Sequence, residues 1–299
     1  MSSLIEQAAQ RLKQLRQAGV PIAGDVVGLA DTSVAAPPKP VQAERADSTL
    51  SSRRVELNLR SLASAGIVTP DSPRSHIADQ YRVVKRPLIS NAKGKGASIL
   101  NHGNLIMVTS AVAGEGKTFT AINLAISIAA ELDNTVMLVD ADVARPSVLR
   151  ILGLPSGPGL LDLLEGKCQM ADALFRTNID KLTVLPSGTP HSRATELLAS
   201  GAMRQLLDDM ANRYPDRIII FDSPPLLLTT ESRVLATQMG QIVMVVQAEK
   251  TLQADVQHAL STIESCPVRL LLLNQARANT SGGYGYSYGY GYGAETQAT

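Results

Sequence analysis

Short runs of Val, Ile and Leu alternate with longer amphipathic stretches over most of the chain after residue 104. The apolar runs predict six strands, at residues 105–109, 135–139, 182–185, 217–221, 241–246 and 268–273. Apolar residues at helical spacing predict helices between several of them, at residues 118–132, 194–212 and 251–264. Nearly continuous apolar strands separated by helices are typical of a parallel sheet covered on both faces. The sequence therefore predicts an α/β fold with a doubly wound, mostly parallel sheet.

The pattern differs at the amino-terminal end. Ser3 and Glu6 have the spacing of a capping box, and apolar residues recur at helical intervals as far as Gly19. An amphipathic helix is therefore predicted within residues 1–19. This helix could pack on its own domain, dock on a partner or lie on a membrane surface, and the sequence leaves these alternatives open.

Residues 20–75 are rich in Ala, Pro and Ser, and they predict a mostly flexible linker. A domain is expected over residues 76–276. It begins with a short helical stretch at 77–89 that should stop near Pro87, because proline lacks the N–H that a helix interior needs.

Residues 277–299 form a tail of alternating Gly and Tyr, in which no stable strand is expected because glycine loses much entropy on ordering. The chain has seven tyrosines, and five of them lie in this tail. They are Tyr284, Tyr286, Tyr288, Tyr290 and Tyr292. This placement is the strongest anomaly of the composition.

Charge and cysteine content narrow the class of protein. Residues 1–100 carry 14 basic and 8 acidic side chains, so a net charge of +1 hides a basic front third that hints at an acidic partner or an anionic membrane. This third lacks interleaved aromatic residues, which disfavours nucleic-acid binding. Two cysteines make no disulfide framework, and no apolar run reaches the roughly 18 residues of a membrane span. A cytoplasmic protein is expected.

The first candidate motif follows the first apolar strand. Residues 110–118 read SAVAGEGKT and lead into a predicted helix, the context that a phosphate-binding loop requires. Glycines let backbone N–H groups converge on phosphate oxygens, and the helix directs its positive end at the same anion. Lys117 is expected to reach the β- and γ-phosphates of a nucleotide, and the Thr118 hydroxyl to bind Mg²⁺. The nucleotide site is assigned to Ala113, Gly114, Glu115, Gly116, Lys117, Thr118 and Phe119.

Two further motifs end later strands. Residues 137–146 read MLVDADVARP, and residues 217–225 read RIIIFDSPP. Ligands of α/β sheets bind beyond the carboxyl ends of the strands, so Asp140, Asp142 and Asp222 should share a crevice with the loop. Asp140 is the candidate base that accepts the proton of a hydroxyl, with Asp142 and Asp222 holding the metal. The roles of Asp140 and Asp142 could be exchanged.

The three motifs together resemble those of the bacterial tyrosine kinases, a branch of the deviant P-loop ATPases. Ala113 stands where that family usually has proline, and the remaining motif positions match closely. The resemblance covers roughly residues 76–299 and implies an ATP- and Mg²⁺-dependent autokinase whose C-terminal tyrosine cluster is the phosphoacceptor. It also implies that Asn274 reads the adenine base. The amino-terminal segment is similar to the branch associated with exosortase-type exopolysaccharide loci.

The same resemblance implies partners. Asp79, Arg82 and Lys85 have the spacing of the family's helix for ring assembly, with conservative changes. A ring-like homo-oligomer is therefore expected, with phosphoryl transfer between its subunits. The family's soluble kinases are activated by the cytoplasmic segment of a transmembrane polysaccharide chain-length protein. This places the protein at the inner membrane through its partner.

Two other functions remain as alternatives. A partition or septum-positioning ATPase would share all three motifs, but its signature lysine falls on Val112, and the Gly/Tyr tail replaces the membrane helix of the septum-positioning branch. A non-catalytic adaptor would use nucleotide only to hold a shape for a membrane complex. The intact acids and Lys117 favour the kinase over both.

Overall fold

The structure is a computed structural model that describes residues 52–71, 75–96, 100–213 and 216–277. The predicted helix within 1–19 and the five tail tyrosines lie outside the described residues. Within the described part of the chain, no helix has the length and apolar character needed to cross a membrane.

One sheet of eight strands organises the described residues, with the strand order β1-β4-β5-β3-β6-β2-β7-β8. The strands are β1 (Arg53–Arg54), β2 (Leu105–Ser110), β3 (Thr135–Asp140), β4 (Phe175–Arg176), β5 (Leu182–Leu185), β6 (Arg217–Asp222), β7 (Gln241–Gln247) and β8 (Val268–Asn274). All six predicted strands are present, and they pair in parallel. The pairing of β4 with β5 is antiparallel. The predicted fold class, a doubly wound and mostly parallel α/β sheet, is confirmed.

Helices cover both faces of this sheet. They are α1 (Leu59–Ser64), α2 (His76–Ala92), α3 (Lys117–Ala129), α4 (Val148–Leu152), α5 (Leu160–Leu164), α6 (Met170–Ala173), α7 (Ala194–Leu198), α8 (Gly201–Arg213), α9 (Thr230–Ala236) and α10 (Gln253–Ser261). Alternate strand residues point to opposite faces, so Val108 packs in the layer with α3, and Met107 packs in the layer with α8. The two apolar layers hold the central strand ends rigid.

Residues 52–71 do not form the predicted linker. β1 pairs with β4, and Leu57 and Leu62 are buried in the layer of α3. The side chain of Asn178 accepts a hydrogen bond from the Leu57 N–H at 2.8 Å and donates one to the Leu57 carbonyl at 3.1 Å. The linker prediction is therefore wrong for this stretch, because a few apolar residues spaced through a polar sequence bury enough surface to dock it.

The first long helix also departs from the prediction, because α2 continues through Pro87 instead of stopping there. Proline leaves the carbonyl four residues earlier without its donor, and here that residue is Val83, which is 72% exposed. Beyond Pro87 the helix is anchored by Gln241, whose side-chain amide donates to the Leu88 carbonyl at 3.0 Å and accepts from Asn91 at 2.9 Å. The exposed position of Val83 and the two bonds of Gln241 account for the passage of the helix through the proline.

The single helix predicted at 194–212 is two helices, α7 and α8. Ser200 lies between them, and its hydroxyl accepts a hydrogen bond from the Met203 N–H at 3.2 Å. Serine at this position caps a new helix, which explains the break.

Candidate active site

The three sequence motifs meet at one edge of the sheet, where the inner parallel strands end. Asp140 ends β3 and Asp222 ends β6, and the two residues are direct partners in the register of these strands. β2 lies on the other side of β6 and leads into the loop at 111–116. The structure therefore brings the loop and the carboxylates together, as their positions after strands predicted.

The loop has the backbone geometry of an anion-binding turn. Gly114 and Gly116 have φ angles of 88° and 93°, a left-handed conformation that side chains other than glycine rarely adopt. Among the described residues, no backbone N–H of residues 113–116 donates a hydrogen bond within the protein. These N–H groups are available to phosphate oxygens, at the amino-terminal end of α3.

Lys117 and Asp142 form a partly buried ion pair. The Lys117 Nζ lies 2.6 Å from the Asp142 Oδ2. The other oxygen of Asp142 accepts from the Arg145 N–H at 3.2 Å. Both Asp142 oxygens are thus engaged, and the lysine is held at the mouth of the loop.

Asp140 is satisfied at one oxygen only. Its Oδ2 accepts from the backbone N–H groups of Ser147 and Val148, at 3.0 Å each. Its Oδ1 is buried and makes no hydrogen bond with the described residues. Burial raises the pKa of this carboxyl to about 6, even though the two N–H bonds favour the charged form. Asp140 therefore has a free acceptor atom and a pKa near neutrality.

Asp222 is less satisfied still. It is completely buried, and neither of its oxygens makes a hydrogen bond of good geometry within the described part of the chain. Burial raises the pKa of Asp222 to about 7, and the nearby charge of Lys117 lowers it only in part. A buried carboxylate without a partner lowers the stability of the folded protein. A bound cation would offset this loss, so the site is suited to a cation.

Thr118 is the remaining oxygen donor expected at the metal. Its hydroxyl is buried and lies 3.1 Å from the Ser147 hydroxyl. No group of three or more His, Cys, Asp or Glu side chains is placed to hold a metal among the described residues. Mg²⁺ typically uses one or two carboxylates together with phosphate oxygens and water. The unsatisfied oxygens of Asp222, with the Thr118 hydroxyl, fit this chemistry.

Two residues assigned to the nucleotide have protein contacts as well. Phe119 is half-buried and packs with the apolar layer that includes Leu57 and Leu62. The Asn274 side chain donates to the Glu115 carbonyl at 2.9 Å. Asn274 therefore lies against the loop, and its contact with a base stays a prediction.

The residues of the predicted assembly helix are placed on different sides of α2. Asp79 and Arg82 are exposed and form an ion pair of 2.5 Å. Lys85 is buried, and its Nζ lies 2.6 Å from both the Ser127 carbonyl and the Glu131 carboxylate. Lys85 thus holds α2 against α3, whereas Asp79 and Arg82 face outwards.

Ser147 and Thr251 also belong to the site, although neither is among the residues predicted from the sequence. Ser147 donates its N–H to Asp140 and shares a hydrogen bond with Thr118. The signal for Ser147 was its position just before the apolar run of α4, where a serine often caps a helix. Thr251 contacts Glu115 from far along the chain, and the sequence carried no signal for it.

Comparisons with known proteins agree with this geometry. A protein-family profile described as an AAA domain matches residues 103–273, more than half of the chain. The tyrosine-protein kinase YwqD of Bacillus subtilis is 30% identical over 214 residues, which cover 72% of this chain and 86% of YwqD. The chain belongs to the bacterial tyrosine kinases.

Solved structures show the same relationship for this bacterial tyrosine kinase. The chimerical protein CapA2B2 matches 74% of this chain and 93% of its own, with 26% identity and a TM-score of 0.58. The match to the kinase domain of VpsO covers 68% of this chain and 100% of the VpsO chain, with 27% identity and a TM-score of 0.54. The family resemblance drawn from the three motifs is thereby confirmed.

Proposed function

We propose that this tyrosine kinase transfers the γ-phosphoryl group of ATP to the tyrosines of its own C-terminal cluster. One observation carries the proposal. Asp140 and Asp222 end neighbouring strands as buried carboxylates with unsatisfied oxygens, beside Lys117 and a loop with free N–H groups. The groups at this edge of the sheet can bind an anion, bind a cation and accept a proton within one crevice.

The loop and Lys117 bind the phosphates in this proposal. Lys117 has three N–H donors, so it can keep its bond to Asp142 and also contact a phosphate oxygen. Thr118 and Asp222 would hold Mg²⁺, with Asp142 bound to the ion or to its water shell. The ion would supply positive charge against the charge that develops on the transferring group. Because phosphoryl transfer has a loose transition state, most of the catalysis comes from positioning and electrostatics.

Asp140 is the base in the proposed mechanism. It accepts the proton of the tyrosine hydroxyl, while the tyrosine oxygen forms its bond to phosphorus and the bond from phosphorus to the ADP oxygen breaks. The free Oδ1 and the pKa of about 6 support this role, since a base works best with a pKa near the working pH. Asp142 is less suited, because both of its oxygens are engaged.

Transfer between subunits is the proposed route to the tail. Tyr284 and Tyr292 lie 10 and 18 residues after Asn274, the last residue of β8. At about 3.3 Å per residue this chain can span at most roughly 30–60 Å, a length that allows transfer to a neighbouring subunit as well as to the chain's own crevice. Each phosphate adds about −1.5 to −2 charges, so several on one tail would repel neighbouring tails and favour dissociation.

The proposed setting is a ring-like homo-oligomer attached to a membrane complex. The exposed Asp79 and Arg82 support an outward-facing assembly surface on α2. The proposed partner is the cytoplasmic segment of a transmembrane polysaccharide chain-length protein, which would hold the kinase at the inner membrane. The proposed role is regulation of exopolysaccharide or capsule synthesis and export.

A mixing experiment tests the proposal. Lys117→Met, which keeps its tail, is incubated with Mg²⁺, ATP and a kinase variant in which all five tail tyrosines are phenylalanine. We expect phosphotyrosine on the Lys117→Met chain in the mixture and none when that chain is incubated alone. Labelling of Lys117→Met alone at the wild-type rate contradicts the site assignment. An unlabelled mixture, with wild type labelling normally, contradicts transfer between subunits.

A further inference from the structure

Glu115 places a carboxylate within the phosphate-binding loop, where it would repel phosphate unless it is turned away. We propose that Glu115 is a positioning residue that holds the loop in its binding shape, and that Thr251 is the residue that secures it. The inference rests on the proposed function only in that the loop binds ATP. It assigns to the Glu115 side chain a role in shaping the loop, while the Glu115 N–H remains available to phosphate.

The Glu115 carboxylate is buried, with 1% of the residue exposed, and both of its oxygens are used. Its Oε2 accepts from the Val112 N–H at 2.7 Å, across the base of the loop. Its Oε1 accepts a short hydrogen bond from the Thr251 hydroxyl and a longer one, at 3.4 Å, from the Gln247 N–H. The side chain thus joins the start of the loop to the end of β7.

The main chain of Glu115 is anchored as well. Its carbonyl accepts from the Asn274 side chain at 2.9 Å, at the end of β8. Asn274 is itself fixed, since its carbonyl accepts from the Ala248 N–H at 2.9 Å. A Cβ on Gly116 would come within 2.1 Å of the Asn274 amide nitrogen, so only glycine allows this close approach. The loop is therefore braced against the ends of two strands.

This bracing has a reason in the sequence of the loop. Glu115 lies between Gly114 and Gly116, the two loop residues with positive φ. Ala113, two residues before Glu115, replaces the proline usual in the family. Glycines are flexible, and a flexible loop pays an entropic cost when it orders around phosphate. The bonds of Glu115 limit this cost, because they fix the loop while its own N–H groups remain free.

Glutamine should not replace Glu115, although it has nearly the same size. The groups that face the two carboxylate oxygens are all donors: the Val112 N–H on one side, and the Thr251 hydroxyl with the Gln247 N–H on the other. An amide has one acceptor oxygen and one NH₂ group. On one of the two sides the NH₂ group would therefore face another hydrogen-bond donor. We therefore expect Glu115→Gln to weaken nucleotide binding strongly, although it leaves the side-chain volume nearly unchanged.

The test compares Thr251→Val, Thr251→Ser and Glu115→Gln with wild type in their affinity for N-methylanthraniloyl-ADP with Mg²⁺. We expect Thr251→Val and Glu115→Gln to weaken binding about tenfold, the effect typical of a hydrogen bond to a charged group. Thr251→Ser keeps the hydroxyl and should bind within about twofold of wild type. For autophosphorylation, the KM for ATP should rise about tenfold while kcat changes less than about threefold, since a looser loop weakens binding.

Thr237→Val is the matched control, because Thr237 is exposed and, within the described part of the chain, its hydroxyl bonds to the Val234 carbonyl alone. Wild-type affinity in both Thr251→Val and Glu115→Gln overturns the proposal, and so does a Thr251→Ser protein as weak as Thr251→Val. Wild type that binds the probe but never phosphorylates its tail contradicts the kinase function alone, since the binding comparison still measures the role of Glu115.

Discussion

Two buried aspartates in different regions of the molecule show opposite electrostatics. Asp162, in α5, accepts from the backbone N–H groups of Gly159 and Thr189 at 2.9 Å each. Burial alone would raise its pKa, but these bonds outweigh burial and lower it. Asp222 has no such bonds among the described residues, and burial raises its pKa to about 7.

The difference separates an acid that supports the fold from one that is available for a ligand. A carboxylate that accepts hydrogen bonds from backbone N–H groups stabilises the loop to which these groups belong. Its charge is then already compensated and does not attract a ligand. A carboxylate left unsatisfied at the carboxyl edge of a parallel sheet destabilises the ligand-free protein and gains when a cation binds. Asp222 is of the second kind, and Asp140 is intermediate because only its Oδ1 lacks a partner.

The largest expected effect comes from Asp222→Asn. It should lower the rate of autophosphorylation more than about 100-fold, because a metal ligand worth several kcal/mol in the transition state is lost. The ligand-free protein should become more stable by about 1–2 kcal/mol at pH 8, since an unpaired buried charge is removed. Urea denaturation and a phosphotyrosine assay measure the two effects. A variant that is inactive and also less stable would contradict the assignment of Asp222 as an unsatisfied acid.

The pH dependence of the free energy of unfolding also distinguishes unsatisfied acids such as Asp222 from Asp162. Folding raises the pKa of Asp222 to about 7 and of Asp140 to about 6, so the folded protein holds these protons to higher pH than the unfolded chain does. The free energy of unfolding of the ligand-free protein should therefore fall by about 4 kcal/mol between pH 5 and pH 8. Asp222→Asn should remove about two thirds of this slope. A slope that is unchanged in the variant would show that other groups cause it.

Asp162→Asn should act in the opposite direction to Asp222→Asn. One carboxylate oxygen accepts both backbone N–H groups, and an amide placed there weakens bonds that the charge had strengthened. We expect a loss of about 2 kcal/mol in the free energy of unfolding, with little change in affinity for the fluorescent ADP probe. If Asp162→Asn stabilised the protein as Asp222→Asn does, the distinction between the two acids would fail.

The smallest expected effects concern α2, where a buried and an exposed cation lie one turn apart. Lys85→Ala should cost about 1 kcal/mol or more, because it breaks contacts with Ser127 and Glu131. Arg82→Ala should change stability by less than about 0.5 kcal/mol, since its ion pair with Asp79 is exposed. In light scattering, only Arg82→Ala is expected to lower the oligomer mass without a loss of stability. An unchanged mass would remove Arg82 from the assembly surface.

The central part of the fold could be predicted from the sequence because its signals are local. Each inner strand is an apolar run, and each motif directly follows a strand, so Lys117, Asp140 and Asp222 could be assigned to one crevice. The family resemblance rested on these same local motifs.

The remaining features depend on contacts between distant residues. Asn178 fixes Leu57 from 121 residues away, and Thr251 fixes Glu115 from 136 residues away. Nothing in the neighbourhood of either partner indicates such a bond. The passage of α2 through Pro87 likewise depends on Gln241, which lies on β7. Local propensity contains no information on these contacts. Each contact alters either the bounds of a secondary-structure element or the role of a side chain.

The most direct test of the kinase assignment is the intact mass of the full chain, with fragment mapping of its C-terminal peptide, after incubation with Mg²⁺ and ATP. Wild type and Lys117→Met are compared, each with and without a phosphatase step beforehand. We expect phosphates on Tyr284, Tyr286, Tyr288, Tyr290 and Tyr292 in wild type, and none in Lys117→Met. Equal phosphorylation of both proteins, or phosphates confined to residues outside the tail, would contradict the assignment.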